Sequence, residues 1–211
     1  MTTISIVTPW LGHPELVEDY VDAVEPELRQ GDEVLIVDNG GAPHMRAFRS
    51  LTPGFNLGFA EGSNFGLRQA AAEAVLFLNN DIALGRPGWL NEIRQALEPG
   101  LLVGPLRHDR HADVDEHPFP YIDGWCLAGM TKDLLALGGF HPDLEEPAYF
   151  SDNLLCLEAR ASGMALREVR VSLRHKENVT AGPALNGDVR AATLANRELY
   201  LARARALLAP A

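Results

Sequence analysis

Apolar residues along the chain fall into short unbroken runs separated by stretches of helical period. "ISIVTP" (4–9), "EVLIVDNGG" (33–41) and "AVLFL" (74–78) are β-rich runs short enough for strands buried on both faces. Between the first two, Leu16, Val17, Tyr20, Val21 and Val24 form a helical stripe with Pro14 at its opening turn. Residues 59 to 73 are Ala-rich and helical in character. The first hundred residues therefore alternate β-α-β-α-β, which predicts an α/β fold: one mostly parallel, Rossmann-like sheet flanked by helices.

The later pattern is looser. "LLVGPL" (101–106) predicts a strand, and residues 107–120, rich in charges, prolines and histidines, predict a loop over the site. "YIDGWCLAGM" (121–130) is strand-like, and a short helix is expected from about Thr131 to Leu137. "GGF" (138–140) reads as a turn, 149–162 as a helix, and "MALREVRVSLRH" (164–175) as one or two strands. An Arg- and Ala-rich helix closes the chain from Asp188 to Leu208.

Polar residues gather where the strand runs stop: Thr8, then Asp38 with Asn39, then Asn79, Asn80 and Asp81. Ligands of such sheets bind beyond the carboxyl ends of the strands. Each group also has a plain structural explanation, because Asn and Asp form turns readily. "NLGFAEGSNFGL" (56–67) carries Gly58, Gly62 and Gly66 at a strand-to-helix entry. It lacks the Lys-Ser/Thr of a Walker loop and the spacing of a dinucleotide fingerprint. Its glycines fit either close packing on the sheet or backbone approach to an anion. "YFSDNLLCLEARASGM" (149–164) puts Asp152 in the first turn of an amphipathic helix. There it is a helix-capping acid or a general base, and the helix start is expected to lower its pKa. Trp125 beside Gly124 suits core packing or stacking on a sugar. His175, ending a strand-like run, suits the surface or a ligand role.

Composition narrows the partners. The 211 residues carry a formal net charge of −11, with Lys132 and Lys176 the only lysines, which disfavours nucleic acid and anionic membrane as partners. Cys126 and Cys156 form neither a disulfide framework nor a metal spacing and read as buried hydrophobes. No apolar run approaches the ~20 residues of a membrane span, and no leader pattern opens the sequence, so a cytoplasmic protein is expected.

The order of these motifs resembles the inverting nucleotide-sugar glycosyltransferases of family 2, which have the GT-A fold, and in particular their rhamnosyltransferase-like branch. The likeness covers roughly residues 3 to 178 and is carried by "SIVTP", "VLIVDNG", "NLGFAEGSNFGL", "LFLNNDI", "GGFHPDL", "YFSDNLLCLEARASGM" and the final His175. It implies a GT-A catalytic domain over 1–187, with a nucleotide-binding half to about 105, an acceptor half over about 106–187, and a C-terminal helix over 188–211. Thr8, Pro9, Asp38, Asn39, Gly58, Asn64, Asn79, Asn80 and Asp81 are then expected on the donor side, with Asp38 at the base. Asp81 and His175 are the implied ligands of Mn2+ or Mg2+, Asp152 the catalytic base, and Gly124 with Trp125 the acceptor or sugar contacts.

The implied activity is hexosyl or deoxyhexosyl transfer from a nucleotide-sugar to a glycan, protein or small-molecule acceptor, with a homodimer among the admissible states. Two departures from the family pattern stand out: Asn79 replaces the first acid of Asp-x-Asp, and Ser151 and Leu154 replace acids around Asp152. They leave open a non-catalytic nucleotide- or carbohydrate-binding protein with the same fold. A nucleotidyltransferase-like enzyme would need a basic Gly-rich loop near the N-terminus, and "TPWLGHPEL" has no Lys or Arg.

Overall fold

The computed structural model describes residues 2–107, 119–146, 149–176 and 188–208. Its strands are β1 (Ile4–Trp10), β2 (Glu33–Asp38), β3 (Arg49–Leu51), β4 (Ala74–Leu78), β5 (Ile82–Leu84), β6 (Leu101–Gly104), β7 (Leu106–Arg107), β8 (Tyr121–Ile122), β9 (Cys126–Met130), β10 (Ala165–Glu168) and β11 (Leu173–His175). Its helices are α1 (Val17–Val24), α2 (Ala60–Gln69), α3 (Trp89–Ala96), α4 (Thr131–Leu137), α5 (Ser151–Ala161) and α6 (Asp188–Leu208).

A seven-stranded sheet runs in the order β10-β6-β9-β4-β1-β2-β3, and only β9 lies antiparallel to its neighbours. The pleat explains the unbroken apolar runs, because successive residues point to opposite faces and both faces are covered. Ile4, Ile6, Ile36, Leu76 and Leu78 join Trp10, Tyr20, Trp89 and Ile93 on the face covered by α1 and α3. Val7, Leu35, Val37, Val75 and Phe77 join Leu67, Phe140 and Leu155 on the face covered by α2, α4 and α5. Gly66 sets the approach of α2: a Cβ there would come within 2.3 Å of the Val7 side chain.

One feature departs from the sequence expectation. The strand-like stretch 121–130 is two strands, broken at Asp123–Trp125 by a turn that the Cys126 N–H closes onto the Asp123 carbonyl at 3.1 Å. The stretch 164–175 is two strands, one of the two alternatives expected, and its second half leaves the large sheet to pair antiparallel with β5. Most of the loop expected over 107–120 lies outside the described residues. Helix α6 is no isolated tail: Tyr200, Leu201 and Ala204 form a third apolar cluster with Phe150, Leu154 and Leu157 of the α5 region. Among the described residues, no helix is long and apolar enough to cross a membrane.

Candidate functional site

The carboxyl ends of β1, β2 and β4 share one edge of the sheet, and the residues there divide into those that organise loops and those that face one another. Thr8 belongs to neither group. Its side chain is fully buried, with Oγ1 2.5 Å from the Tyr20 hydroxyl. Burial pushes the Tyr20 phenol up, and both side chains belong to the core. Pro9 is half-buried and lies beside Gly62, where a Cβ would meet Pro9 at 3.4 Å and the Asn39 amide at 3.3 Å.

Three other expected donor residues act mainly on the protein itself. Asp38 Oδ1 accepts from the Gly40 and Ala42 N–H groups at 2.9 and 3.0 Å, folding the glycine turn after β2. Asn39 accepts from the Leu57 N–H at 3.0 Å and donates to the Gly58 carbonyl at 2.8 Å, so it fixes the entry to α2. Asn64 is buried and bonds Phe140 in both directions, at 2.8 Å each way, tying α2 to the "GGF" turn. With amide oxygen and nitrogen each engaged there, Asn64 clamps α2 to that turn.

Sequence reasoning missed Glu146. Its carboxylate accepts the Ala60 N–H at the start of α2, and a Cβ on Gly58 (φ 74°) would collide with it. Burial raises its pKa, opposed by the backbone N–H groups of Ala60 and Phe59. Glu146 thus joins the segment before α5 to the start of α2, and nothing in its local sequence signals that contact.

Asn79, Asp81 and His175 do converge. The β5–β11 ladder pairs His175 with Ile82, and the Lys176 N–H donates to the Asp81 carbonyl at 2.8 Å. His175 Nε2 then lies 3.1 Å from Asp81 Oδ1 and 3.2 Å from Asn79 Nδ2. Asp81 and Asn80 are both buried. The Trp125 ring stacks on the His175 imidazole, centroids 5.0 Å apart and planes 9° from parallel. Trp125 is only 8% exposed and supports His175 from the core.

The described residues hold no group of three or more His, Cys, Asp and Glu side chains able to hold a metal ion. The pair that is present still suits a cation shared with a substrate. One imidazole nitrogen cannot donate to Asp81 and accept from Asn79 in the same tautomer. A cation held by Nε2 and the Asp81 carboxylate would take the nitrogen's single lone pair and is compatible with the approach of those two groups. Their 3.1 Å separation is also close to that of adjacent ligands on an octahedral ion with bonds of about 2.1 Å. Mg2+ in particular commonly takes one or two protein carboxylates and fills its shell with waters and phosphate oxygens.

Asp152 stands on the other side of the Asp123–Trp125 turn. Its Oδ2 accepts from the Gly124 N–H at 2.9 Å and its Oδ1 from the Asn153 N–H at 3.0 Å. A Cβ on Gly124 would sit 3.2 Å from Asp152, so glycine permits this approach. The pKa moves opposite to the sequence expectation: it is raised to about 6, first by burial and then by the negative charge of Asp123, against the backbone N–H groups. Loss of hydration outweighs the helix start because the carboxylate is folded in against Gly124. The residue keeps part of its surface in solvent.

No protein-family model matches the chain. Uncharacterized proteins of Mycobacterium bovis and Mycobacterium tuberculosis are 30% identical over 213 residues, covering 89% of this chain and 79% of theirs. The O-antigen biosynthesis protein RfbC of Myxococcus xanthus is 32% identical over 108 residues, covering 46% of this chain and 8% of that protein. Among solved structures, a mannosyltransferase of Pyrobaculum calidifontis in complex with GDP-Man and Mn2+ aligns with a TM-score of 0.65 at 19% identity, covering 98% of this chain and 70% of that one. The architecture is the GT-A glycosyltransferase fold.

Proposed function

We propose that this chain, which belongs to one family with the uncharacterized mycobacterial proteins, is a glycosyltransferase acting on a nucleotide-sugar. The observation that carries this reading is the Asp123–Trp125 turn. Its Trp125 ring backs His175 and hence Asp81, while the preceding N–H, that of Gly124, binds Asp152. One turn so fixes a cation-suited pair and a carboxylate of raised pKa relative to each other. A fold shared with a mannosyltransferase supports a nucleotide-diphosphate donor, and that neighbour's GDP-Man and Mn2+ support the donor class and the ion.

In this reading Asp152 takes the proton of an acceptor hydroxyl, whose oxygen forms a bond to the anomeric carbon. The bond from that carbon to the diphosphate breaks, and its electron pair leaves with the nucleotide. Attack from the face opposite the leaving group inverts the anomeric configuration. A carboxyl with a pKa near 6 suits the step, being ionised at neutral pH while keeping affinity for the proton it must accept. Asp81 and His175, with Asn79 beside them, would hold Mn2+ or Mg2+, which offsets negative charge on the departing diphosphate. Pro9 and Asp38 border the donor side, and Asn39 shapes it through residues 57–58.

The test is a panel of GDP-, UDP- and dTDP-sugars with and without manganese, scored by thermal shift and by donor hydrolysis. A true donor raises the melting temperature by mass action. The shift should grow with manganese and shrink in His175→Ala. Absence of any shift, or equal hydrolysis by wild type and Asp152→Asn, overturns the reading.

A further inference from the structure

Phe150, two residues before Asp152, has φ 80° and ψ −1°, a left-handed conformation that bulky side chains rarely adopt. Such a conformation stores backbone strain and persists only where its surroundings over-determine it. The surroundings here come from α6. Asn196 is 1% exposed, and its single amide binds both ends of the preceding loop. Oδ1 accepts from the Glu145 N–H at 2.8 Å, and Nδ2 donates to the carbonyls of Glu145 and Tyr149 at 3.0 and 3.1 Å. One turn further along α6, the Tyr200 ring packs on Phe150 with centroids 5.6 Å apart. Arg203 then pairs with Glu158 of α5 at 2.7 Å, which sets the two helices in register.

We propose that α6 is a brace for the base-bearing turn, with Asn196 and Tyr200 positioning Asp152 through the strained backbone of Phe150; this rests on the reading of Asp152 as the base. The Phe150 carbonyl accepts the Leu154 N–H at 2.9 Å, so its peptide orientation sets the first turn of α5. That turn carries Asp152 toward the Gly124 N–H. Relaxation of Phe150 to a right-handed or extended conformation would redirect the chain at the entry to α5 and swing the carboxylate off Gly124. The sequence holds a trace of this role. Ala192, Asn196, Tyr200 and Ala204 lie four apart on the buried stripe of α6, and a buried Asn among them calls for partners.

The test reads amide hydrogen exchange by NMR in the full chain, comparing Gly124, whose N–H binds Asp152, with Leu76 in the central strand. Asn196→Ala and Tyr200→Leu should each speed exchange at Gly124 at least tenfold relative to Leu76. Leu97→Ala, a cavity variant on the opposite face of the sheet, should lower the melting temperature while leaving that ratio at its wild-type value. If Asn196→Ala does not fold, Asn196→Asp removes both amide donors, keeps the acceptor, and should give a several-fold change in the same direction. An unchanged ratio in the α6 variants, or an equal change in Leu97→Ala, overturns the proposal. Should Asp152→Asn retain full turnover while the α6 variants still free Gly124, the base assignment falls and the brace stands.

Discussion

Asp32 and Asp152 are both carboxylates drawn out of water at opposite ends of the structure, and their pKa values move in opposite directions. Burial raises the proton affinity of each. At Asp32 this is outweighed by Arg94, which bonds the two carboxylate oxygens at 3.1 and 2.7 Å, and by the N–H groups of Arg29 and Ile4, so the pKa falls. At Asp152 the donors are backbone N–H groups, Asp123 adds a like charge, and the pKa rises to about 6. Asp123 itself pairs with Arg107 at 2.6 Å, which turns that arginine's charge toward the neighbour. A carboxylate given a bidentate arginine is a fixed anion that holds β1 to the loop before β2. One given only peptide N–H groups keeps an affinity for protons, which is the property a general base requires.

The strongest break in this comparison is Asp152→Asn. It keeps an acceptor for the Gly124 N–H but removes the site for the proton, and turnover is expected to fall by about 10²–10⁴, measured as donor hydrolysis. Next comes Arg94→Ala, which strands the Asp32 charge inside the fold; urea denaturation should show a loss of about 3–5 kcal/mol.

The pH dependence of stability separates the two acids at smaller scale. The Asp152 pKa is higher in the folded chain than in the unfolded one, so folding binds the proton more tightly. Its contribution is therefore present at low pH and is lost as pH rises through about 6. Asp152→Asn should melt above wild type at pH 8 and converge with it at pH 4. Asp32 has the opposite slope, since its depressed pKa makes its contribution present at neutral pH and lost as pH falls through the folded value. A third carboxylate–arginine contact, Glu98 with Arg167 at 2.9 Å, lies at the surface, where water screens it. Arg167→Ala should leave melting temperature and turnover within error of wild type.

Much of the architecture was legible because it rests on local chemistry. The three apolar runs became adjacent central strands, and helices α4 and α6 begin and end where the sequence placed them. The strand-end polar residues do line one edge. Their individual roles were less legible. The family resemblance put Asn39 and Asn64 on the donor side, and only the fold shows that each amide is turned inward onto a neighbouring loop. Thr8 and Trp125 face the core for the same reason: pleat parity and packing set the direction of a side chain.

The sequence by itself determined the alternating α/β order, the clustering of polar residues where strands stop, and an acid at the head of α5. These follow from backbone periodicity and apply within a few residues of each position. Only the tertiary structure decided which of those groups meet. It brought His175 to Asp81 by pairing β11 with β5, and it set Asp152 on Gly124 through a turn the sequence had read as strand. It also made α6 a support for the turn before Asp152. The sign of the Asp152 shift belongs to that second group, because desolvation depends on what the whole chain packs around a carboxylate and the helix start alone would have lowered it.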